Sequence, residues 1–126
     1  MTMKNRVLVA TLLTSGVAAC ARPVDPPKAE VAALNVTDWT DRSELYMEYP
    51  PLAAGQTALF AVHLTKLDDF QALTAGSPSI EFVPEQGGSP TVLRGLPPSR
   101  PGAFRVEGHA PTAGRYRWAL TIDAPG

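Results

Sequence analysis

Apolar and polar residues alternate along the chain from about Leu34 onward. In residues 43–49, for example, Leu45, Met47 and Tyr49 fall on one face, and the residues between them fall on the other. A period of two is typical of β-strands that bury one face. The pattern predicts seven strands, which begin near residue 34 and then cover 43–49, 57–65, 79–84, 91–96, 103–110 and 115–123.

The segments between these strands carry turn signals. Most of the 13 prolines and 10 glycines fall between apolar stretches rather than inside them, as in β-proteins. Residues 97–102 are proline-rich and predict a rigid corner. Residues 66–76 predict a longer connection with one helical turn around 67–70, capped by Asp68.

No segment sustains a period of 3.6 residues, so the fold class is predicted to be all-β. Seven short strands favour an antiparallel two-sheet sandwich of immunoglobulin-like type. The Cys…Trp…Cys signature of true immunoglobulins is absent, so the prediction covers the architecture alone. The inward-facing apolar residues form the predicted core: Leu45, Met47, Phe60, Val62, Leu64, Ile80, Phe82, Phe104, Val106, Tyr116, Trp118, Leu120 and Ile122.

The first twenty residues follow a different pattern. Lys4 and Arg6 precede a short apolar run at residues 7–13, and small residues lead to Cys20, the single cysteine. A basic start, a short apolar stretch and small residues are typical of a secretory signal, and the run is too short to span a bilayer. The tetrad Val-Ala-Ala-Cys at 17–20 resembles the lipobox of bacterial lipoproteins. The resemblance implies cleavage before Cys20 and acylation of its sulfur; an ordinary secretory signal with an incidental cysteine is the alternative.

The chain is therefore divided into a signal peptide at residues 1–19, a lipidated proline-rich tether at 20–33 and a β-sandwich domain at 34–124. Without Lys4 and Arg6, nine basic and twelve acidic residues remain, a net charge near −3. No basic stripe is present, so no nucleic-acid partner is expected. The predicted location is the periplasmic side of a bacterial membrane. Ala21 after Cys20 favours the outer membrane, as the lipoprotein resemblance implies.

The sequence does not predict catalysis or a cofactor. It contains no Gly-x-Ser-x-Gly motif, and its two histidines fall on outward faces of different predicted strands. His63 and His109 are weak candidate metal ligands, because imidazole binds several transition metals. They could share an ion only if their ring nitrogens came within about 4 Å of each other, since each metal–nitrogen bond is about 2 Å.

A partner-binding surface is the stronger expectation. Residues 40–42 predict a hairpin-like turn after Trp39, which either packs under the sheet edge or presents a surface patch. The outward face of the next strand and the connection at 66–76 extend this surface. The candidate partner-binding residues are Trp39, Asp41, Arg42, Glu44, Tyr46 and Glu48.

The same region resembles a known family. Trp-Thr-Asp-Arg at 39–42 and Glu-Tyr-Pro-Pro-Leu at 48–52 are the most specific parts, and residues 60–65, 99–105 and 113–117 fit the same pattern. Together they resemble the N-terminal β-domain of periplasmic adaptor subunits, the membrane fusion proteins of heavy-metal resistance-nodulation-division (RND) efflux systems. The resemblance covers residues 35–123.

The resemblance implies a non-catalytic adaptor that takes part in transmembrane export. Such adaptors bridge an inner-membrane pump and an outer-membrane channel, and many are lipid-anchored. The longer members continue into a lipoyl-like domain, a helical hairpin and a β-barrel, so a truncated adaptor or a stand-alone domain is expected here. The alternatives are a periplasmic metal-binding module and a structural lipoprotein.

Overall fold

The computed structural model of the chain describes residues 31–124. The predicted signal peptide, Cys20 and the tether up to residue 30 lie outside the described residues. Residues 31–33 belong to no strand and are exposed.

Seven strands make up the described part of the chain, as the alternation predicts. They are β1 (Leu34–Trp39), β2 (Ser43–Tyr49), β3 (Thr57–Lys66), β4 (Ser77–Pro84), β5 (Thr91–Arg100), β6 (Ala103–His109) and β7 (Tyr116–Asp123). Every pairing is antiparallel, and residues 31–124 contain no helix. The all-β class and the strand count are confirmed.

The strands form one curled sheet in the order β1-β2-β3-β6-β5-β4-β7. Strand β5 changes its pairing partner along its length. Residues 91–94 pair with β4, and residues from Gly95 onward pair with β6. This change of partner curls the sheet so that β4 also packs against β6. The rings of Phe60 in β3 and Phe82 in β4 lie 6.2 Å apart between centroids, so the curled sheet encloses its own core.

Most of the predicted core is confirmed. The residues that are buried as predicted are Leu45, Met47, Phe60, Val62, Leu64, Ile80, Phe82, Phe104 and Val106. Leu93 of β5 joins them, although the sequence left the facing of that strand ambiguous. Leu93 pairs with Ile80 in register, and paired residues share a face of the sheet.

Strand β7 corrects the rest of the core prediction. Trp118 pairs with Phe82 and Leu120 pairs with Ile80, so their inward facing is as predicted. Trp118 is nevertheless 39% exposed, while Tyr116, Leu120 and Ile122 are half-buried. The reason is that β7 is an edge strand with β4 as its one neighbour, so nothing described covers its other side.

The predicted helical turn around residues 67–70 is wrong. Residues 67–69 form a plain turn, and Phe70 has a positive φ of 55°, which is outside the helical region. Asp69, not Asp68, organises the segment. Its carboxylate accepts hydrogen bonds from the Gln71 amide at 3.0 Å and from Lys66 Nζ at 2.7 Å.

The predicted corner at residues 97–102 is shorter than expected. Strand β5 continues through both prolines to Arg100, with a register shift between Leu96 and Arg100. Prolines lack a backbone N–H, so they fit a stretch where ladder hydrogen bonds are interrupted. The chain reverses only at Pro101 and Gly102, where Gly102 has a φ of 75°, a conformation that favours glycine.

Candidate partner-binding surfaces

The β1–β2 turn (residues 40–42) is held by one side chain. The Thr40 hydroxyl oxygen accepts hydrogen bonds from the amides of Arg42 at 3.1 Å and Ser43 at 3.0 Å. The Thr40 amide donates to the Ser43 carbonyl at 2.9 Å. Such hydroxyl-centred turns are local and compact. Asp41 and Arg42 are therefore fixed at an exposed tip.

Trp39 lies on the surface beside this turn. It is 60% exposed, which decides between the two placements that the sequence left open. In register it lies opposite Glu44, which is half-buried. Trp39 of β1 and Glu44 of β2, both candidate partner-binding residues, thus lie side by side on the outer face of the sheet.

The other candidate residues of β2 share that outer face. Tyr46 lies between Thr37 of β1 and His63 of β3, and its ring centroid is 6.0 Å from that of His63. The Tyr46 hydroxyl donates to Glu48 Oε1 at 2.9 Å. This hydrogen bond raises the pKa of Tyr46 above its ordinary value, with smaller contributions from desolvation and the Glu48 charge. The hydroxyl therefore stays protonated and holds the Glu48 carboxylate.

The β3–β4 loop (residues 66–76) adjoins the β1–β2 turn. The Leu67 amide donates to the Arg42 carbonyl at 2.9 Å, and a groove of about 510 Å³ lies between the two segments. Phe70 of this loop is 76% exposed. Two of the regions that the sequence singled out, which are far apart along the chain, thus form one continuous surface.

The two histidines are not placed to share a metal ion. His63 pairs with Ala103 and His109 pairs with Thr57 on the same β3–β6 ladder, so six residues separate their positions along it. At about 3.4 Å per residue their backbones lie roughly 20 Å apart. The His109 Nδ1 instead lies 3.1 Å from the Gly55 carbonyl oxygen. Within residues 31–124, no three His, Cys, Asp or Glu side chains are grouped closely enough to hold a metal ion.

A groove of mixed lining separates the two edges of the sheet, with Asp38, Thr40 and Ser43 at its β1–β2 end. Leu45 and Leu64 line one wall and Trp118 and Leu120 line the other, around a volume of about 310 Å³. The Cα atoms of β1 and β7 stay more than 8 Å apart, so the curled sheet does not close into a barrel. The groove was not predicted, because the alternation along β7 indicates which face is inward but not whether another strand covers it. Local alternation does not reveal the groove, because the groove depends on which strands are neighbours in the sheet.

Comparisons of the chain with protein-family models, with curated proteins and with solved structures found no match. In the part of the chain that the structure describes, no helix is long and apolar enough to cross a membrane.

Proposed function

We propose that the chain is a lipid-anchored, non-catalytic periplasmic domain that serves an RND efflux adaptor, either as a truncated adaptor or as a stand-alone relative of its N-terminal domain. In this proposal the two ends of the curled sheet act as the two layers of an immunoglobulin-like sandwich. Two sequence features support it: the lipobox-like tetrad ending at Cys20, and the resemblance over residues 35–123.

One geometric observation carries the proposal. The chain enters the domain at Leu34, and β1 runs from there to Trp39. Six residues of strand separate these ends by about 17 Å. The β1–β2 turn and the β3–β4 loop, which adjoin at Arg42 and Leu67, therefore lie at the pole opposite the entry of the tether. A domain tethered at one pole would present this surface away from its membrane.

The chemistry of the exposed pole indicates its partner. Trp39 and Phe70 are exposed aromatic side chains, and aromatic residues are enriched where proteins bind each other. The acidic residues of the turn, the adjoining end of β2 and the β3–β4 loop (Asp41, Glu44, Asp68 and Asp69) outnumber the basic residues there (Arg42 and Lys66). The expected partner surface is therefore basic, with an apolar pocket for Trp39.

The anchor is tested by lipid labelling in cells. The chain is expressed with an alkyne-tagged fatty acid, and label on the protein is compared between the natural chain and Cys20→Ser. We expect label and membrane retention on the natural chain and loss of both in Cys20→Ser. An unlabelled natural chain released into the periplasm would support the ordinary secretory signal and remove the anchor.

The adaptor role is tested by position-specific cross-linking in cells. A photoreactive residue replaces Trp39 in one variant and Val92 in a control, since Val92 is 43% exposed on β5, far from the pole. We expect Trp39 to cross-link to an inner-membrane pump or its adaptor and Val92 not to do so. No product from either position would favour the structural lipoprotein, and equal products from both would contradict a role for this pole.

A further inference from the structure

The two edges of the sheet are protected to different degrees. Native proteins guard exposed edge strands with short length, charged side chains, prolines, bulges or inward-pointing charges. Strand β1 has six residues and carries such a charge, because Asp38 shares the inward face with its buried partner Leu45. Strand β7 has eight residues, no proline and no inward-pointing charge. Its charged residues, Arg117 and Asp123, lie on the outer face, and its inward positions are Tyr116, Trp118, Leu120 and Ile122.

We propose that β7 pairs in antiparallel orientation with β7 of a second copy of this chain, about a two-fold axis at Leu120. This proposal does not depend on the proposed adaptor function. The pairing would extend the seven-stranded sheet of each copy across the dimer. It would also cover the half-exposed inward side chains of β7.

The charges of β7 select this register. About Leu120, Arg117 lies opposite Asp123 of the partner, so two ion pairs form on the outer face. Trp118 lies opposite Ile122 of the partner on the inner face, and Leu120 meets its own copy. A shift of one residue would set inward positions against outward ones. A shift of two residues along β7 would remove the Arg117 and Asp123 matches.

The charges are available for this pairing. In residues 31–124 the salt bridge found joins Lys66 and Asp69, so neither Arg117 nor Asp123 is engaged within the described domain. Both are exposed on the outer face of β7, where they lie in register with Val83 and Ser77. One strand pair buries less than a standard protein interface, so the dimer is expected to form weakly and to depend on concentration.

Charge reversal tests the register. Sedimentation of the full chain in detergent micelles measures dimerisation of the natural chain, Arg117→Asp, Asp123→Arg and the double variant. Each single change replaces two ion pairs by two like-charge contacts and should weaken the dimer about tenfold. The double variant restores opposite charges in the same register and should recover the affinity. Circular dichroism confirms that each variant is folded.

Cross-linking tests the axis. In a Cys20→Ser background, Leu120→Cys should form a disulfide-linked dimer on oxidation, and Val92→Cys on the outer face of an internal strand should not. A natural chain that stays monomeric, a dimer insensitive to Arg117→Asp, or a double variant without recovery would each overturn the proposal. Cross-linking of Leu120→Cys to a different protein would do so as well, since it would give the β7 edge another occupant.

Discussion

The change of partner along β5 depends on the absence of a side chain at Gly95. A Cβ placed there would lie 2.7 Å from the Arg105 carbonyl oxygen, 2.7 Å from Pro78 Cγ and 2.9 Å from Val106 Cγ2. Real Cβ atoms do not approach other heavy atoms this closely, and two of these three neighbours are rigid. Gly95→Ala should therefore force β5 away from β6 where the sheet begins to curl.

The expected loss of stability follows from two opposing terms. Overpacking of a well-packed site costs about 1–3 kcal/mol of stability. Gly95→Ala should cost an amount near the upper end of this range, because its Cβ would clash with three neighbours at once. Replacing glycine by alanine also restricts the unfolded chain, which returns roughly 0.4–1 kcal/mol. The net loss is about 2 kcal/mol. For a domain of this size the melting temperature should fall by roughly 8–16 °C.

Thermal and urea unfolding, followed by circular dichroism and tryptophan fluorescence, measure this loss. Gly114→Ala is the matched control, because its new Cβ would lie 3.3 Å or more from the Tyr116 side chain and would meet no backbone atom within 4 Å among its three nearest neighbours. It should change stability by less than about 0.5 kcal/mol. If Gly95→Ala were as stable as Gly114→Ala, the close passage of β5 between Pro78 and Arg105 would be refuted.

Three further outcomes are expected. Phe60→Ala should lower the free energy of unfolding by about 3–5 kcal/mol, because Phe60 is buried. Phe70→Ala should lower it little, because Phe70 is exposed. Equal losses in chemical denaturation would contradict the placement of Phe60 in the core. Glu48→Gln should lower the pKa of Tyr46 in an NMR titration, since the Glu48 carboxylate holds the tyrosine hydroxyl; an unchanged pKa would show that this bond is absent in solution. The hydrogen bond between Lys66 and Asp69 lowers the pKa of Asp69 and raises the pKa of Lys66. Any stability from the pair should therefore be fully present between the ordinary pKa of Asp, 3.8, and the ordinary pKa of Lys, 10.5. It should be lost as pH falls through the lowered Asp69 pKa or rises through the raised Lys66 pKa, and Lys66→Met should raise the pKa of Asp69 measured by carboxyl NMR.

Local patterns predicted the strands because each depends on neighbouring residues. Alternation places Phe60 and Val62 on one face wherever β3 lies in the sheet, and both are buried. The Thr40 turn was predictable for the same reason, since its hydrogen bonds span three residues. These features require no knowledge of which strands are neighbours.

The features that the sequence could not predict are those that depend on which strands are neighbours. Trp118 faces inward as the alternation indicates, but its burial depends on a second neighbouring strand, and among residues 31–124 β7 has β4 alone. The contact between Arg42 and Leu67 depends on β2 and β3 pairing in one particular register. The separation of His63 and His109 depends on the pairing of β3 with β6, which are remote in sequence.

The unequal protection of the two edges leads to a last prediction at Asp38. Asp38→Val would make the inward face of β1 wholly apolar, with Leu34 and Val36 on the same side. The change removes the charge that guards this edge, so the edge strand then carries an apolar inward face beside its free hydrogen-bonding groups. We expect a new, concentration-dependent association or aggregation, measured by light scattering.

Asn35→Val is the matched control for Asp38→Val, because it adds the same side chain to the same strand on the outward face, opposite Glu48. If association depends on the inward charge, only Asp38→Val should scatter more light than the natural chain. Combining Asp38→Val with Arg117→Asp separates the edges, since β1 association should persist when β7 pairing is weakened. Equal behaviour of Asp38→Val and Asn35→Val would mean that added hydrophobicity, not the loss of an inward charge, governs this edge.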